Sequence, residues 1–177
     1  MGKPRHTRGT EIQRIHTMIV FLVVGTLFPF DRLVREIDRW AGMNKDIRVI
    51  AQVGHSKYKA ENIETHAIMK AAEFNTIFEE SDLIIAHAGM GIILKSLVAN
   101  KPIIVFPRKH EFKEHTTDHQ MDTARAFQEL EYIQVAWDIA DLQKYLEEPK
   151  KIKSKKIIGP YASESLIEAL RDFIEQN

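Results

Sequence analysis

The stretch LIIAHAGMGIILKSL, Leu83–Leu97, decides the expected fold. It begins with an apolar run typical of a buried strand, reaches a histidine and two glycines, and continues with apolar residues at a helical period. Glycines let a backbone come close to a ligand, and a helix start leaves its first N–H groups unpaired. A strand, a glycine-containing turn and a helix start in this order indicate an anion site, often for a phosphate.

Gly89 and Gly91 carry this prediction, with His87 at the strand end as a candidate donor to a phosphate oxygen. A tight turn whose glycines serve packing alone would give the same pattern. The segment lacks the GK[ST] of a P-loop, and Leu94 stands where a dinucleotide-binding fingerprint has its third glycine. An anion site and a plain turn therefore both stay open at this point.

Outward from this stretch, buried-strand patterns alternate with helical periods. Strands are predicted at 18–25, 47–54, 65–69, 82–89, 101–107 and 132–136, and helices at 30–42, 74–81, 91–100, 118–131, 139–148 and 163–176. This alternation predicts an α/β fold: a Rossmann-like parallel sheet with helices on both faces. Because such sheets bind ligands at the carboxyl ends of their strands, the chemistry is expected after Val24, Val53, Ala86 and Phe106.

The composition of the chain limits the classes of protein to which it can belong. The chain has 177 residues, of which 44% are apolar, enough for one domain with its own core. The 25 basic and 25 acidic residues balance, which argues against nucleic acid as the main partner. No run reaches the roughly 20 apolar residues of a membrane helix. Residues 1–17 are polar and basic and predict a flexible extension before a domain at 18–177.

The polar loop PRKHEFKEHTTDHQ, residues 107–120, follows the next strand and should face the same sheet edge. Asp118 and Gln120 offer groups that suit sugar hydroxyls, Glu114 a further acceptor, and Arg108 a cation for a diphosphate. A solvated loop with a capping Asp118 is the alternative. Metal binding is not expected, because HEFKEH places its second histidine one residue too late for an HExxH motif.

Five sequence segments between roughly Met18 and Ala136 together resemble those of a known protein family. They are VVGTLFPFDRLV, AQVGHSKY, LIIAHAGMGIIL, KPIIVFPR and EHTTDHQ, in this order. The chain resembles the donor-binding, C-terminal half of GT-B glycosyltransferases of the MurG-like family 28. The resemblance points especially to the small catalytic subunits of two-subunit UDP-sugar transferases that build capsules and exopolysaccharides.

The resemblance implies a single GT-B half-domain, a UDP-sugar as substrate, and no metal or other cofactor. It implies three groups of site residues. Those holding the diphosphate would be His87, Ala88, Gly89, Met90, Gly91 and Ile92, with Arg108 added from the polar loop. Those beside the donor near the acceptor cleft would be Gly25, Thr26, Glu114 and His115, and those reading the sugar hydroxyls would be Asp118 and Gln120.

The resemblance also implies partners. A membrane-anchored subunit would bind the acceptor, a lipid-linked saccharide, and would hold this chain at the inner, cytoplasmic face of the membrane. No residue here is an obvious general base for the acceptor hydroxyl, so the catalytic base is expected on the partner. The active site of this chain alone is therefore expected to be incomplete.

Two positions depart from the family pattern. Many relatives carry Ser or Thr where Ile92 stands, and Glu where Lys95 stands, the latter for the ribose hydroxyls. Lys95 cannot accept a hydrogen bond from ribose. A non-catalytic nucleotide-sugar-binding regulatory subunit is therefore an alternative to the transferase. A nucleotide-sugar epimerase is a further alternative, although it usually needs both GT-B halves in one chain.

Overall fold

The structure, a computed structural model, describes residues 17–159. Six parallel strands form one sheet in the order β3-β2-β1-β4-β5-β6. The strands are β1 Met18–Val23, β2 Ile47–Gln52, β3 Glu64–His66, β4 Leu83–Ala86, β5 Ile103–Val105 and β6 Gln134–Val135. The chain order reverses between β1 and β4, which is where sheets of this kind open a crevice for ligands.

Within residues 17–159, five helices cover the two faces of the sheet. They are α1 Asp31–Met43, α2 Ala71–Glu80, α3 Met90–Val98, α4 His119–Glu129 and α5 Ile139–Glu147, with short 3-10 helices at His110–Phe112 and Pro149–Lys151. Except for the loop 53–63 between β2 and β3, each connection between consecutive strands contains a helix, because parallel strands need a long crossover.

Each face of the sheet has its own core, because consecutive side chains of a strand point to opposite faces. In β1, Leu22 lies in the cluster that α1 and α5 complete, while Phe21 lies in the cluster that α2, α3 and α4 complete. Both side chains are fully buried. A strand buried on both faces reads as a continuous apolar run, and that is the pattern of MIVFLV.

The predicted fold class, an α/β parallel sheet with helices on both faces, is confirmed. Three local predictions need correction. The helix predicted at 74–81 begins three residues earlier, at Ala71. Asp118 occupies the N-cap position of α4 but makes no capping bond, because its carboxylate accepts from the backbone N–H of His110 instead. The weak strand at 65–69 is only three residues long, Glu64–His66.

Two predictions lie outside the described residues: the basic extension, apart from Thr17, and the helix at 163–176. Within residues 17–159, no helix has the length and apolar character needed to cross a membrane.

Candidate functional site

The first residues of α3 present open backbone donors at the crevice. The first backbone hydrogen bond of α3 runs from Ile93 N to Gly89 O at 3.2 Å. The N–H groups of Met90, Gly91 and Ile92 precede it and have no acceptor among residues 17–159. These donors and the helix dipole favour an anion, by about 0.3–1 kcal/mol at an exposed site.

The two N–H groups just before α3 are already occupied. Ala88 N donates to Oε1 of Gln120 at 3.3 Å, and Gly89 N donates to the carbonyl of His87 at 2.8 Å. Of the residues predicted to hold the diphosphate, only Met90, Gly91 and Ile92 therefore have a backbone N–H group available for it.

The two glycines of the turn serve different purposes. A Cβ on Gly89 would lie 2.3 Å from Nε2 of His87, so Gly89 makes room for the histidine ring. A Cβ on Gly91 would meet nothing within 4 Å. Packing therefore explains Gly89, whereas Gly91 faces the open space from which a ligand would approach its amide. Gly25, with φ +79°, borders the same ring from the end of β1.

His87 is held in one orientation. Its Nδ1 lies 3.2 Å from the carbonyl oxygen of Val23, and since a carbonyl only accepts, Nδ1 carries the proton. Burial lowers the pKa of His87 to about 4, the bond to Val23 opposes this, and the charges of Arg108 and His115 lower it further. The ring is thus neutral at pH 7, and Nε2 presents a lone pair. This tautomer does not fit the prediction that His87 donates to a phosphate oxygen.

A cavity of about 210 Å³ lies beside this ring. It brings together six of the predicted site residues, namely Gly25, Thr26, His87, Arg108, His115 and Gln120, with Val24, Leu27 and Phe28 completing the wall. Phe28 packs against His115 with ring centroids 5.3 Å apart. The role of Phe28 as a wall was not predicted, because an apolar residue next to a proline gives no signal that separates cavity lining from core.

Gln120 joins the turn after β4 to the strand end after β5. Its Oε1 accepts from Ala88 N at 3.3 Å and from Arg108 N at 3.1 Å. Both bonds engage the amide oxygen, so the amide cannot flip, and its NH₂ group is left for the cavity. Gln120 is therefore a donor toward a ligand and not an acceptor.

Arg108 is 2% exposed and lies under the loop after β1. Its guanidinium donates to the backbone carbonyls of Val24, Phe28, Pro29 and Glu114. Burial lowers the pKa of Arg108 to about 10, so it stays charged at pH 7. With four N–H groups bound to carbonyls, this arrangement does not support the prediction that Arg108 contacts a diphosphate; it fixes the cavity wall instead.

Comparison with known proteins gives the family. The model of the glycosyltransferase family 28 C-terminal domain matches residues 19–176. The chain belongs to this family.

One curated relative is the UDP-N-acetylglucosamine transferase subunit ALG13 of Candida albicans, 34% identical over 89 residues. The match covers 50% of this chain but only 29% of that relative. Two solved structures share the fold. The glycosyltransferase of kitacinnamycin has a TM-score of 0.59 at 16% identity, over 97% of this chain and 42% of that one. The solution structure of ALG13 has a TM-score of 0.57 at 24% identity, over 88% and 96%.

In this family 28 domain, Glu114 does not line the cavity. Its side chain is 8% exposed, and its two oxygens accept from Nε and Nη2 of Arg32 at 2.7 Å each. Lys109 N donates to the same carboxylate at 3.0 Å. Arg32 in turn lies 4.4 Å from the ring centre of Phe106. Glu114 therefore holds the loop after β5 onto α1, and this geometry does not support a donor-binding role for its carboxylate.

Asp118 also lies apart from Gln120. It is exposed, accepts from His110 N at 3.1 Å, and lines a separate cavity of about 260 Å³ with Lys109, Glu111, Met121 and Arg125. The two residues predicted to read the sugar hydroxyls thus line different cavities, and Gln120 is the one that lies in the cavity beside His87.

The two positions that depart from the family pattern take other contacts. The side chain of Ile92 is buried in the core, while its backbone N–H has no acceptor among residues 17–159. Lys95 donates to Oδ1 of Asn75 at 2.9 Å and lies 4.7 Å from the ring centre of Phe78. Lys95 is therefore held against α2.

Among residues 17–159, no group of three or more His, Cys, Asp or Glu side chains is placed to hold a metal ion. His115 lies in the cavity wall, where its Nδ1 is 3.1 Å from the carbonyl oxygen and 3.2 Å from the backbone nitrogen of Thr117. His119 begins α4 and is exposed.

Proposed function

We propose that this chain is the donor-binding subunit of a UDP-sugar-dependent hexosyltransferase. The diphosphate of the donor would lie on the amides of Met90, Gly91 and Ile92, and the sugar would enter the cavity beside His87 and Gln120. One observation carries this proposal: in a family 28 domain, His87 and Gln120 line a cavity, and the helix that starts three residues after His87 has N–H groups with no acceptor among residues 17–159.

The chemistry follows from where charge develops. When the sugar leaves its nucleotide, the diphosphate gains negative charge. A helix start supplies fixed dipoles at that place without reorganisation, which is the kind of stabilisation that lowers such barriers most. The proposal therefore needs no metal or other cofactor, with the UDP-sugar as a substrate.

Transfer would need a partner. Among the described residues, the wall of the cavity contains no carboxylate that could act as a base for an acceptor hydroxyl. The matched relative is itself a transferase subunit, and the chain spans 42% of the kitacinnamycin glycosyltransferase. The partner would be a membrane-anchored subunit at the cytoplasmic face that binds a lipid-linked saccharide in polysaccharide biosynthesis and supplies the base.

A second candidate is a non-catalytic nucleotide-sugar-binding regulatory subunit. Lys95 favours it, because this side chain is bonded to Asn75 and cannot accept a hydrogen bond from ribose. Such a chain would bind a UDP-sugar without supporting its transfer.

Calorimetric titration with UDP and with UDP-glucose, UDP-galactose, UDP-glucuronate and UDP-N-acetylglucosamine tests the binding. Gln120→Ala should weaken the UDP-sugar more than UDP, because UDP relies on the α3 amides. Gln134→Ala is the matched control, since Gln134 donates to Lys153 O at 3.3 Å and does not line the cavity. If the unaltered chain binds none of these nucleotides, the proposal is wrong.

Reconstitution with the acceptor-binding subunit separates the two candidates. The transferase predicts product on a lipid-linked saccharide only when both subunits and the UDP-sugar are present. Binding of the UDP-sugar by a complex that forms no product would support the regulatory subunit.

A further inference from the structure

The loop after β1 contributes to a second cavity, which we call the α1 cavity. Its volume is about 460 Å³, against about 210 Å³ for the cavity beside His87. Phe28 lines the cavity beside His87, and Pro29, the next residue, lines the α1 cavity. Arg108 donates to the carbonyls of both residues. The two cavities therefore share one loop, and that loop is fixed from below.

Charged side chains make up most of the wall of the α1 cavity. They are Asp31, Arg32, Arg35, Glu36, Lys113 and Glu114. The formal charges of these six groups cancel, so their sum does not predict which ligand the cavity takes. The contacts that each group already makes decide which of them a ligand can use.

The carboxylates of the α1 cavity all have partners within the chain. Glu114 accepts from Arg32, as described above. Oδ1 of Asp31 accepts from the hydroxyl of Ser56 at 2.5 Å, and Oε1 of Glu36 accepts from the amide of Gln143 at 2.7 Å. Glu36 is also only 7% exposed. The negative groups of the wall, and Arg32 with them, are thus engaged by the protein itself.

Arg35 and Lys113 are the two charged groups of the wall that lack such partners. Both are exposed, and within residues 17–159 neither side chain forms a hydrogen bond or an ion pair. The guanidinium of Arg35 lies 5.3 Å from the ring centre of Tyr58, which leaves its N–H groups open. Two cations are therefore available in a cavity whose carboxylates are already satisfied.

The backbone at Lys113 is in the left-handed region, with φ +58°. Glycine adopts this conformation readily, whereas a side chain with a Cβ adopts it at a conformational cost. In the described part of the chain, no hydrogen bond or ion pair of the lysine side chain offsets this cost. The stability of the fold therefore does not explain a lysine at this position.

We propose that the α1 cavity binds a phosphate or diphosphate group of a second ligand, distinct from the donor. Arg35 and Lys113 pair with its oxygens, since guanidinium and ammonium groups are the usual partners of phosphate. A concave site with two cations suits a small anion. Nucleic acid does not fit, because its binding requires an extended basic surface.

The proposed function gives this group a source. A lipid-linked saccharide carries phosphate between its lipid and its first sugar, so the acceptor can supply it. Phe112, which is 52% exposed, and Ile139 place apolar surface beside the two cations. Donor and acceptor then meet at the loop after β1, as transfer between them requires. This assignment to the acceptor rests on the proposed function, whereas the phosphate site itself does not.

NMR titration of the full chain with inorganic pyrophosphate tests the site. We expect saturable shifts of the backbone amides of Arg35 and Lys113, in the free chain and equally when UDP is bound. The amides of Met90 and Gly91 report the UDP site separately. Glucuronate, which has a single carboxylate, should bind more weakly than pyrophosphate. Added salt should weaken pyrophosphate binding, because both cations are exposed.

A double variant tests the two cations. Arg35→Gln with Lys113→Gln should lower the affinity for pyrophosphate by about tenfold or more and leave the affinity for UDP unchanged. Arg48→Gln with Lys144→Gln is the matched control, since it removes the same charge from exposed side chains that do not line the cavity. This control should change neither affinity.

Lys113→Gly gives a second readout that a merely structural lysine would not produce. The variant should raise the denaturation temperature, because glycine relieves the left-handed backbone, and at the same time weaken pyrophosphate binding. A variant that is more stable and binds pyrophosphate as well as the unaltered chain would contradict the role of Lys113.

Geranyl diphosphate distinguishes the two sources of the phosphate group. Tighter binding than that of pyrophosphate, with the advantage lost in Phe112→Ala, supports a phosphate carried by a lipid. Equal binding of the two compounds overturns the assignment to the acceptor and assigns the cavity to a free diphosphate.

Three results overturn the phosphate site itself. They are the absence of shifts at Arg35 and Lys113, binding of glucuronate as tight as that of pyrophosphate, and displacement of pyrophosphate from these residues by UDP. The last result would make the α1 cavity part of the donor site. Failure of every UDP-sugar and of UDP to bind, with pyrophosphate still at Arg35 and Lys113, would instead remove the proposed function and support the phosphate site.

Discussion

The turn after β4 and the loop after β5 meet at the same sheet edge, but they offer ligands very different groups. The turn, residues 87–92, has no charged side chain, yet three of its backbone donors have no acceptor within the described part of the chain, residues 17–159. The loop, residues 107–118, is dense in charges, yet Arg108 and Glu114 are bound to the chain's own groups. The availability of a group for a ligand thus depends on what already satisfies it and not on its charge.

The largest expected effect is on the free energy of unfolding, and it tests whether the charged groups of the loop after β5 stabilise the fold. Arg108→Met leaves four carbonyls without their donor, and we expect it to lower the free energy of unfolding by about 3–5 kcal/mol. Urea denaturation measures this. Lys109→Met, next in sequence, removes a pair with Glu111 at 3.6 Å and a contact with the Phe112 ring at 5.7 Å, and should cost less than about 1 kcal/mol. Equal losses would mean that Arg108 does not support the wall.

The second effect is a pH dependence of the unfolding free energy that His87, in the turn after β4, produces. His87 has a pKa of about 4 in the folded chain against 6.5 when unfolded, so the unfolded chain binds more protons between these values. Its contribution is therefore present above pH 6.5 and is lost as pH falls toward 4, by up to about 3 kcal/mol. The difference in unfolding free energy between the unaltered chain and His87→Asn, followed from pH 7 to pH 4.5, should shrink accordingly. A constant difference would contradict the neutral histidine.

A smaller effect compares two carboxylates of the loop. Glu114→Gln leaves Arg32 with a weaker partner inside its aromatic surroundings, and we expect a loss of about 2 kcal/mol. Glu111→Gln, whose side chain is 64% exposed, should change stability by less than about 0.5 kcal/mol. Thermal denaturation of Glu114→Gln and Glu111→Gln measures how much more a buried carboxylate contributes to stability than a solvated one. UDP binding by Glu114→Gln at a temperature where it is folded should be unchanged.

The smallest effect distinguishes the roles of Gly89 and Gly91 in stability and in UDP binding. Gly91→Ala meets open space inside α3 and should stabilise the free chain by up to about 1 kcal/mol. The same change should weaken UDP, because a methyl group then stands where the diphosphate approaches. Gly89→Ala should instead destabilise the free chain, since its Cβ collides with the ring of His87. A Gly91→Ala chain that binds UDP normally would place the nucleotide elsewhere.

Much of the fold follows from apolar pattern, because burial on both faces leaves a long signal in the sequence. The runs around β1, β2 and β4 predict strands that the structure contains, and the α3 start falls within one residue of its prediction. Short elements were less predictable: β6 has two ladder residues, Gln134–Val135, because neighbouring strands and not local pattern decide where pairing stops.

The candidate site was predictable where it depends on backbone and less so where it depends on side-chain partners. The open amides follow from a glycine turn before a helix. The partners of Arg108, Glu114 and Asp118 do not, because each lies on a segment that only the folded chain brings near. Arg32 gave no signal of its own, since a helical arginine after a proline-containing loop is usually solvated.

The bonds that shape the cavity join distant parts of the chain: His87 to Val23, 64 residues earlier, and Ala88 to Gln120, 32 residues later. During synthesis, a chain that has emerged only as far as α3 exposes the helix start without the glutamine or the arginine behind it. We therefore expect ribosome-bound chains of that length to retain no nucleotide, and the capacity to hold one to arise when α4 leaves the exit tunnel.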